Sequence, residues 1–182
     1  MSLSLDIASA VRSHQRVLDA ESHAVAMAAL ETGRPMWPRS EFEPGHFTAS
    51  GFVASPDGRS MLLVHHGRLD RWLQPGGHFE WEDNTVEDAS RREVGEETGV
   101  TALTRLGIGL VRVDAHSIPA RTDEPAHIHI DLGLAFVAES DHIGPIEEVL
   151  DARWVPFDEF HRYDLDEAVM VGSAHIRELL GS

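Results

Sequence analysis

The chain has 182 residues, 42% of them hydrophobic and 25% charged, with no cysteine. This fits one globular domain with room for a small appendage, and it excludes disulfides, thiolate metal sites and a cysteine nucleophile. Thirty-one acidic against fifteen basic residues leave a formal net charge of −16, so duplex nucleic acid is excluded as a partner and an anionic small substrate needs cations beside it.

The N-terminal segment, residues 1–36, reads as helical. Leu5, Ala8, Val11 and Leu18 space out one stripe, and Asp19 caps a second helix running through Val25, Ala28 and Leu30 to the stop at Gly33-Arg34-Pro35. The pair reads as a cap or a homodimer arm, with packing on a sheet as the alternative. No basic-then-apolar signal precedes it and no apolar run is long enough to span a membrane, so a cytoplasmic protein without a membrane partner is expected.

Residues 37–182 form the main domain. Pro38 and Pro44 mark a linker after Pro35 and Trp37. His46–Ser55 and Ser60–His66 read as strands of a hairpin turned by Ser55-Pro56-Asp57-Gly58. Trp72 then precedes a Gly-Gly turn as a core residue, with stacking on a base as the alternative.

Leu73–Val100 carries the densest signal. Asn84 with Glu87 is a capping box and Gly99 a stop, which predicts a helix over Thr85–Thr98. At ~100° per residue, Glu93, Glu96 and Glu97 share a stripe with Val86 and Ala89, while Asp88, Arg91, Gly95 and Thr98 make a solvated face. Three inward carboxylates need positive charge among them. Arg92, four residues before Glu96, neutralises one; a hard divalent cation such as Mg2+ neutralises the rest, with a glycine carbonyl of Pro75-Gly76-Gly77 able to complete its shell. An acidic surface helix is the plainer alternative.

Thr104–His116 reads as a long strand and Ser117–Pro125 as a loop. His127–Val137 alternates cleanly: Ile128, Ile130, Leu132, Leu134 and Phe136 on one face, His127, His129, Asp131, Gly133 and Ala135 on the other. The small residues of the second face leave room for a ligand. His127, His129 and Asp131, with His116, have the chemistry of a transition-metal site, of substrate phosphate or sugar contacts, or of a polar face under a loop. An acidic loop over 139–151 leads to a strand at Arg153-Trp154-Val155, and Asp164 with Glu167 caps a last helix packed through Ala168, Val169, Gly172, Ile176 and Leu179.

The central stretch resembles the Nudix box, G-x5-E-x7-R-E-U-x-E-E-x-G-U with U a bulky apolar residue. Gly77 matches its opening and Arg92–Val100 its second half, but Asp83 stands where the first Glu belongs, one residue further from Arg92 than in the pattern. That leaves Glu82 or Asp83 for the first acidic position. The resemblance implies an α/β class fold, an α/β/α sandwich with a mixed sheet, and hydrolysis of a nucleoside diphosphate linked to another group X. It implies Mg2+ or Mn2+ on Gly76, Glu93, Glu96 and Glu97, Arg92 orienting Glu93, Glu93 as candidate base, and a further base or ligand at Glu147 or Glu148. A proline at position 119 and the lack of a nearby tyrosine leave X open. A nucleotide-binding module without turnover is the alternative; isomerases of isopentenyl diphosphate on this scaffold need a cysteine, absent here.

Overall fold

The structure, a computed structural model, describes residues 2–14, 19–146 and 148–181. Its elements in chain order are α1 (Leu3–Ser13), α2 (Ala20–Glu31), β1 (Gly45–Ala54), β2 (Ser60–His66), β3 (Arg71–Leu73), β4 (Gly76–His78), α3 (Val86–Thr98), β5 (Leu103–Arg105), β6 (Arg112–Ile118), β7 (His127–Ala138), β8 (Asp151–Pro156), a 3-10 turn over Phe157–Arg162, and α4 (Glu167–Leu180).

The eight strands form one mixed sheet. β1 runs parallel to β7 along its whole length, Gly45 opposite Ile128 through Ala54 opposite Val137. β4 lies antiparallel to β1, β6 and β5 to β7, and β3 and β8 to β2. The expected β1–β2 hairpin is paired only at its turn, Ala54 opposite Met61, because β1 gives its edge to β4 and β2 gives its edges to β3 and β8.

Period-2 alternation divides β1 between two cores. Phe47, Ala49 and Val53 face Val86, Ala89 and Val94 of α3, together with Leu3, Ile7 and Val11 of α1 and Ala26 and Ala29 of α2. Phe52 and Ala54 face the other way, against Val155, Phe160, Val169 and Ile176. Helices on both faces of a mixed sheet make the α/β/α sandwich.

The N-terminal helices dock directly on this frame: Asp6 accepts the Val86 N–H at 2.8 Å and Ser22 accepts that of Ala115 at 2.9 Å. Their stripe is Leu3, Ile7 and Val11, not the expected Leu5, which is 61% exposed; Leu18 lies outside the described residues. Asp19 caps α2 through the N–H groups of Glu21 and Ser22.

Other local expectations shift. The cap of α3 is Thr85, accepting from Asp88, while Asp88 takes the Asn84 N–H at 3.2 Å. The capping box therefore sits one residue later than Asn84–Glu87, which frees Glu87 to pair with Arg91 and Arg105. Thr98 is buried, its hydroxyl donating to the Val94 carbonyl. The strand expected over Thr104–His116 breaks into β5 and β6 around Gly107, whose φ is +74°, and β6 continues through Ser117 and Ile118. Asp166, not Asp164, caps α4, and Leu179 is exposed. Trp72 is half-buried, stacked on His65 at 5.1 Å with the Arg153 guanidinium at 5.0 Å.

Candidate functional site

Gly76 and Gly77 are not a turn. They belong to β4, hydrogen-bonded to β1 with Gly76 opposite Ser50 and Gly77 opposite Ala49. Close approach is what demands glycine: a Cβ on Gly76 would stand 2.6 Å from Ser50 Cβ, and one on Gly77 would stand 2.7 Å from a Glu93 carboxylate oxygen. The backbone of β4 and the carboxylates of α3 are thus in direct apposition. Glu97 Oε2 accepts the Gly76 N–H at 3.0 Å.

Arg92 gathers the acidic residues. It donates to Asp83 from Nε and Nη2 at 3.2 and 2.9 Å, from Nη1 to Glu93 at 2.9 Å and Glu96 at 2.8 Å, and from Nη2 to the His78 carbonyl at 2.8 Å. Burial works against its charge, but the hydrogen bonds it donates to Asp83 and the charge of Glu93 raise its pKa and keep it protonated. Asp83 is the buried acidic residue at the start of the helix, and Glu82 is exposed. The insertion relative to the box is absorbed in the turn Glu80–Asp83, where Asp83 also accepts the Glu80 N–H at 2.8 Å.

The acidic stripe is only partly inward. Glu93 and Glu97 are buried, whereas the Glu96 side chain is 43% exposed and reaches back to Arg92. Burial pushes Glu93 up to about 7 despite Arg92, and pushes Glu97 up to about 8 despite the Gly76 N–H, with Glu93 adding to the rise. Glu148 is exposed, yet its charge raises both, so the loop before β8 borders this cluster. Glu147 lies outside the described residues.

On the opposite face of β1 the second polar group assembles. The Thr48 hydroxyl donates to Asp131 at 3.0 Å and that of Ser50 at 2.5 Å. Asp131 is buried with both oxygens engaged, and burial raises its pKa against those two hydroxyls. His127 and His129 converge with His46, their ligating nitrogens all within 4.8 Å of one another, and His78 lies with its ring 5.1 Å from His46 and 5.0 Å from His129. His116 turns to Asp114 at 2.8 Å, a hydrogen bond that raises its pKa. Of the row expected from β7, two histidines therefore gather, while Asp131 and His116 have other partners. The room foreseen beside Gly133 is filled by Phe52, 2.5 Å from where a Cβ would stand.

His46 and His78 escaped the sequence reading because each is a lone histidine locally. The available signal was the polar alternation His46, Thr48, Ser50 along β1, which marks a second polar face like that of β7. An open cleft of about 530 Å3 is lined by Arg39, Arg68, Arg121, Thr122, Asp123 and Glu124; Arg39 pairs with Glu124 at 3.0 Å, and both act on the charge of His78. Three arginines at one cleft stand out in so acidic a chain.

Residues 44–173 match the model of the NUDIX domain. Among solved structures, a Nudix hydrolase from M. smegmatis, RenU, is 19% identical with a TM-score of 0.54, covering 75% of this chain and 86% of its own. A NUDIX-family hydrolase from Clostridium perfringens is 19% identical with a TM-score of 0.55, covering 74% and 97%. The NUDIX domain of Shewanella oneidensis NrtR, solved with ADP ribose, is 20% identical with a TM-score of 0.51, covering 74% and 87%. Among curated proteins none matches the chain in sequence. With the domain model spanning most of the chain, and Gly76 and Gly77 in direct apposition to Glu97 and Glu93, the chain belongs to the Nudix hydrolase family.

Proposed function

We propose that the protein is a Mg2+- or Mn2+-dependent hydrolase of the diphosphate linkage in a nucleoside diphosphate joined to another group X. The observation that carries this reading is the pair of buried carboxylates, Glu93 and Glu97, set against the glycine backbone of β4. Burying two ionised carboxylates side by side costs several kcal/mol each unless a counter-charge is present. Arg92 is already divided among Asp83, Glu93 and Glu96, so the donor set suits one hard, oxygen-seeking divalent cation or more. Glu93, Glu97 and Gly76, with the more exposed Glu96, would hold it, and Glu148, whose charge acts on both buried glutamates, would add a ligand or a base. Such a cation, when bound, neutralises phosphate charge and lowers the pKa of a bound water.

The chain's own residues then have defined tasks. Arg92 fixes Glu93 by holding Oε1, which leaves Oε2 to take the proton of the attacking water as general base. The water oxygen bonds to one phosphorus, the bridging P–O bond breaks, and the departing phosphate keeps the electron pair. No helix among the described residues is long and apolar enough to cross a membrane.

The test is a panel of nucleoside triphosphates, nucleotide sugars, dinucleoside polyphosphates and ADP-ribose, the compound held by the Shewanella domain, scored by kcat/KM with Mg2+. Release of nucleoside monophosphate, lost in Glu97→Gln, is expected. Metal-dependent binding of these compounds with no turnover of any would make the protein a binding module instead.

A further inference from the structure

The α3 carboxylates leave the histidines behind β1 unexplained. Four imidazoles from three strands meet there: His46 on β1, His78 on β4, and His127 and His129 on β7. His46 stacks on His127 at 5.1 Å, and His129 lies 4.8 Å from His46 and 5.0 Å from His127. Such crowding is wasteful for packing, since each ring buries a polar nitrogen that needs a partner.

The tautomers are set by what the other nitrogens touch. His46 Nδ1 lies 2.8 Å from the Glu41 carbonyl and His127 Nδ1 lies 2.8 Å from the Pro125 carbonyl. A carbonyl only accepts, so each Nδ1 carries the hydrogen and each neutral ring turns a bare Nε2 lone pair the other way. A backbone carbonyl on the far nitrogen is also the usual support of a metal-bound histidine. His46 Nε2 is fully buried and has no hydrogen-bond partner among the described residues: an acceptor with nothing to accept from.

We propose that His46, His127 and His129, with His78 beside them, form a binding site for an imidazole-preferring divalent metal such as Zn2+, distinct from the carboxylate site on the other face of β1. Imidazole nitrogens select Zn2+ and its neighbours over Mg2+, which takes oxygen. Zinc–nitrogen bonds of about 2.0–2.1 Å put tetrahedral ligand atoms about 3.3 Å apart, so the three nitrogens, within 4.8 Å of one another, draw inward by small ring rotations. His78, with its ring 5.1 Å from His46 and 5.0 Å from His129, stands beside the three as a fourth imidazole. Zn2+ binding at these imidazoles requires no hydrolase activity at the carboxylates.

The experiment uses the untagged full chain, stripped of metal and held in excess Mg2+ so that the carboxylates are occupied. Zn2+ is titrated by calorimetry and Co2+ by visible absorption. One equivalent of each is expected, with Co2+ showing the intense bands of a four-coordinate site. His129→Ala and His46→Ala are expected to weaken Zn2+ by at least about 100-fold, more than the loss of a supporting partner alone, and Glu97→Gln to leave it unchanged. His127→Gln keeps most of the ring's volume, and its melting curve without Zn2+ establishes folding should the alanine variants fail to fold. No Zn2+ bound, or Zn2+ bound equally by folded His127→Gln, or binding abolished by Glu97→Gln, would overturn the proposal.

Discussion

Glu97 and Arg92 illustrate how the same acidic cluster is both costly and useful. Glu97→Gln keeps an oxygen for the Gly76 N–H while removing a charge that burial opposes. Its Mg2+-dependent kcat/KM is therefore expected to fall about 100-fold or more, within the range for losing a group that acts on the reacting centre. Its metal-free melting temperature at pH 8 should equal or exceed that of the parent chain, a rise that calorimetry reads directly. Arg92→Ala goes the other way. It strands Asp83, Glu93 and Glu96 without their shared cation, and a loss of about 3 kcal/mol is expected in urea unfolding, at the low end for breaking a buried pair. These residues were legible in the sequence, since Arg92, Glu93, Glu96 and Glu97 lie within two helical turns and their spacing alone puts them on neighbouring faces. That Glu96 stays outside was not legible: a helical wheel gives direction, and only the sheet and the loop before β8 decide how far around the helix the cover reaches.

At the level of elements, glycine substitutions separate function from folding. Gly77→Ala drives a methyl into the Glu93 carboxylate at 2.7 Å, so it is expected to displace the candidate metal ligand and cost most of the activity with a smaller effect on stability. In Gly172→Ala the methyl would stand 2.0 Å from the Phe52 ring, in the core between α4 and the sheet. This overpacking is expected to cost 1–3 kcal/mol or more, while the folded fraction keeps its kcat. Thermal melts and kcat measured together check both. Asn84 and Thr85 are both good caps; Thr85 takes the role, its hydroxyl accepting the Asp88 N–H, while the Asn84 amide donates to the Glu82 carbonyl at 3.2 Å. The break between β5 and β6 likewise follows from Gly107 in the left-handed region, a conformation that apolar alternation does not report.

Over the whole molecule, buried titrating groups of opposite sign set the pH profile. Glu93 and Glu97 rise from an ordinary 4.5 to about 7 and about 8, so the folded chain holds protons that the unfolded chain has released. Their contribution to stability is greatest below pH 4.5 and is lost as pH rises through 7–8. His78, lowered from 6.5 to about 4, and His129, lowered further, contribute stability that is present above pH 6.5 and lost on acidification. The two effects oppose each other from about pH 4.5 to 6.5; above that the carboxylates lead, and His116, held up by Asp114, loses its contribution in the same direction. The metal-free protein is therefore expected to lose stability between pH 6.5 and 8.5, and the drop to flatten in the Glu93→Gln/Glu97→Gln chain. Melting temperatures at three pH values decide it. Mg2+ is expected to raise the melting temperature more at pH 8.5 than at 6.5, because ligation favours the ionised carboxylates.

The amino-acid order by itself determined the helix of glutamates, its glycine stop and the strand of alternating histidines, because each depends on contacts a few residues apart; the α/β class followed from the resemblance to the Nudix box. Only tertiary structure decided that Asp131 belongs to Thr48, 83 positions away, that the Gly-Gly segment is a strand pressed on α3, and that His46 and His78 join the histidines of β7. Register between distant strands is chosen when the sheet assembles, by the burial of both its faces at once, and no local spacing encodes it.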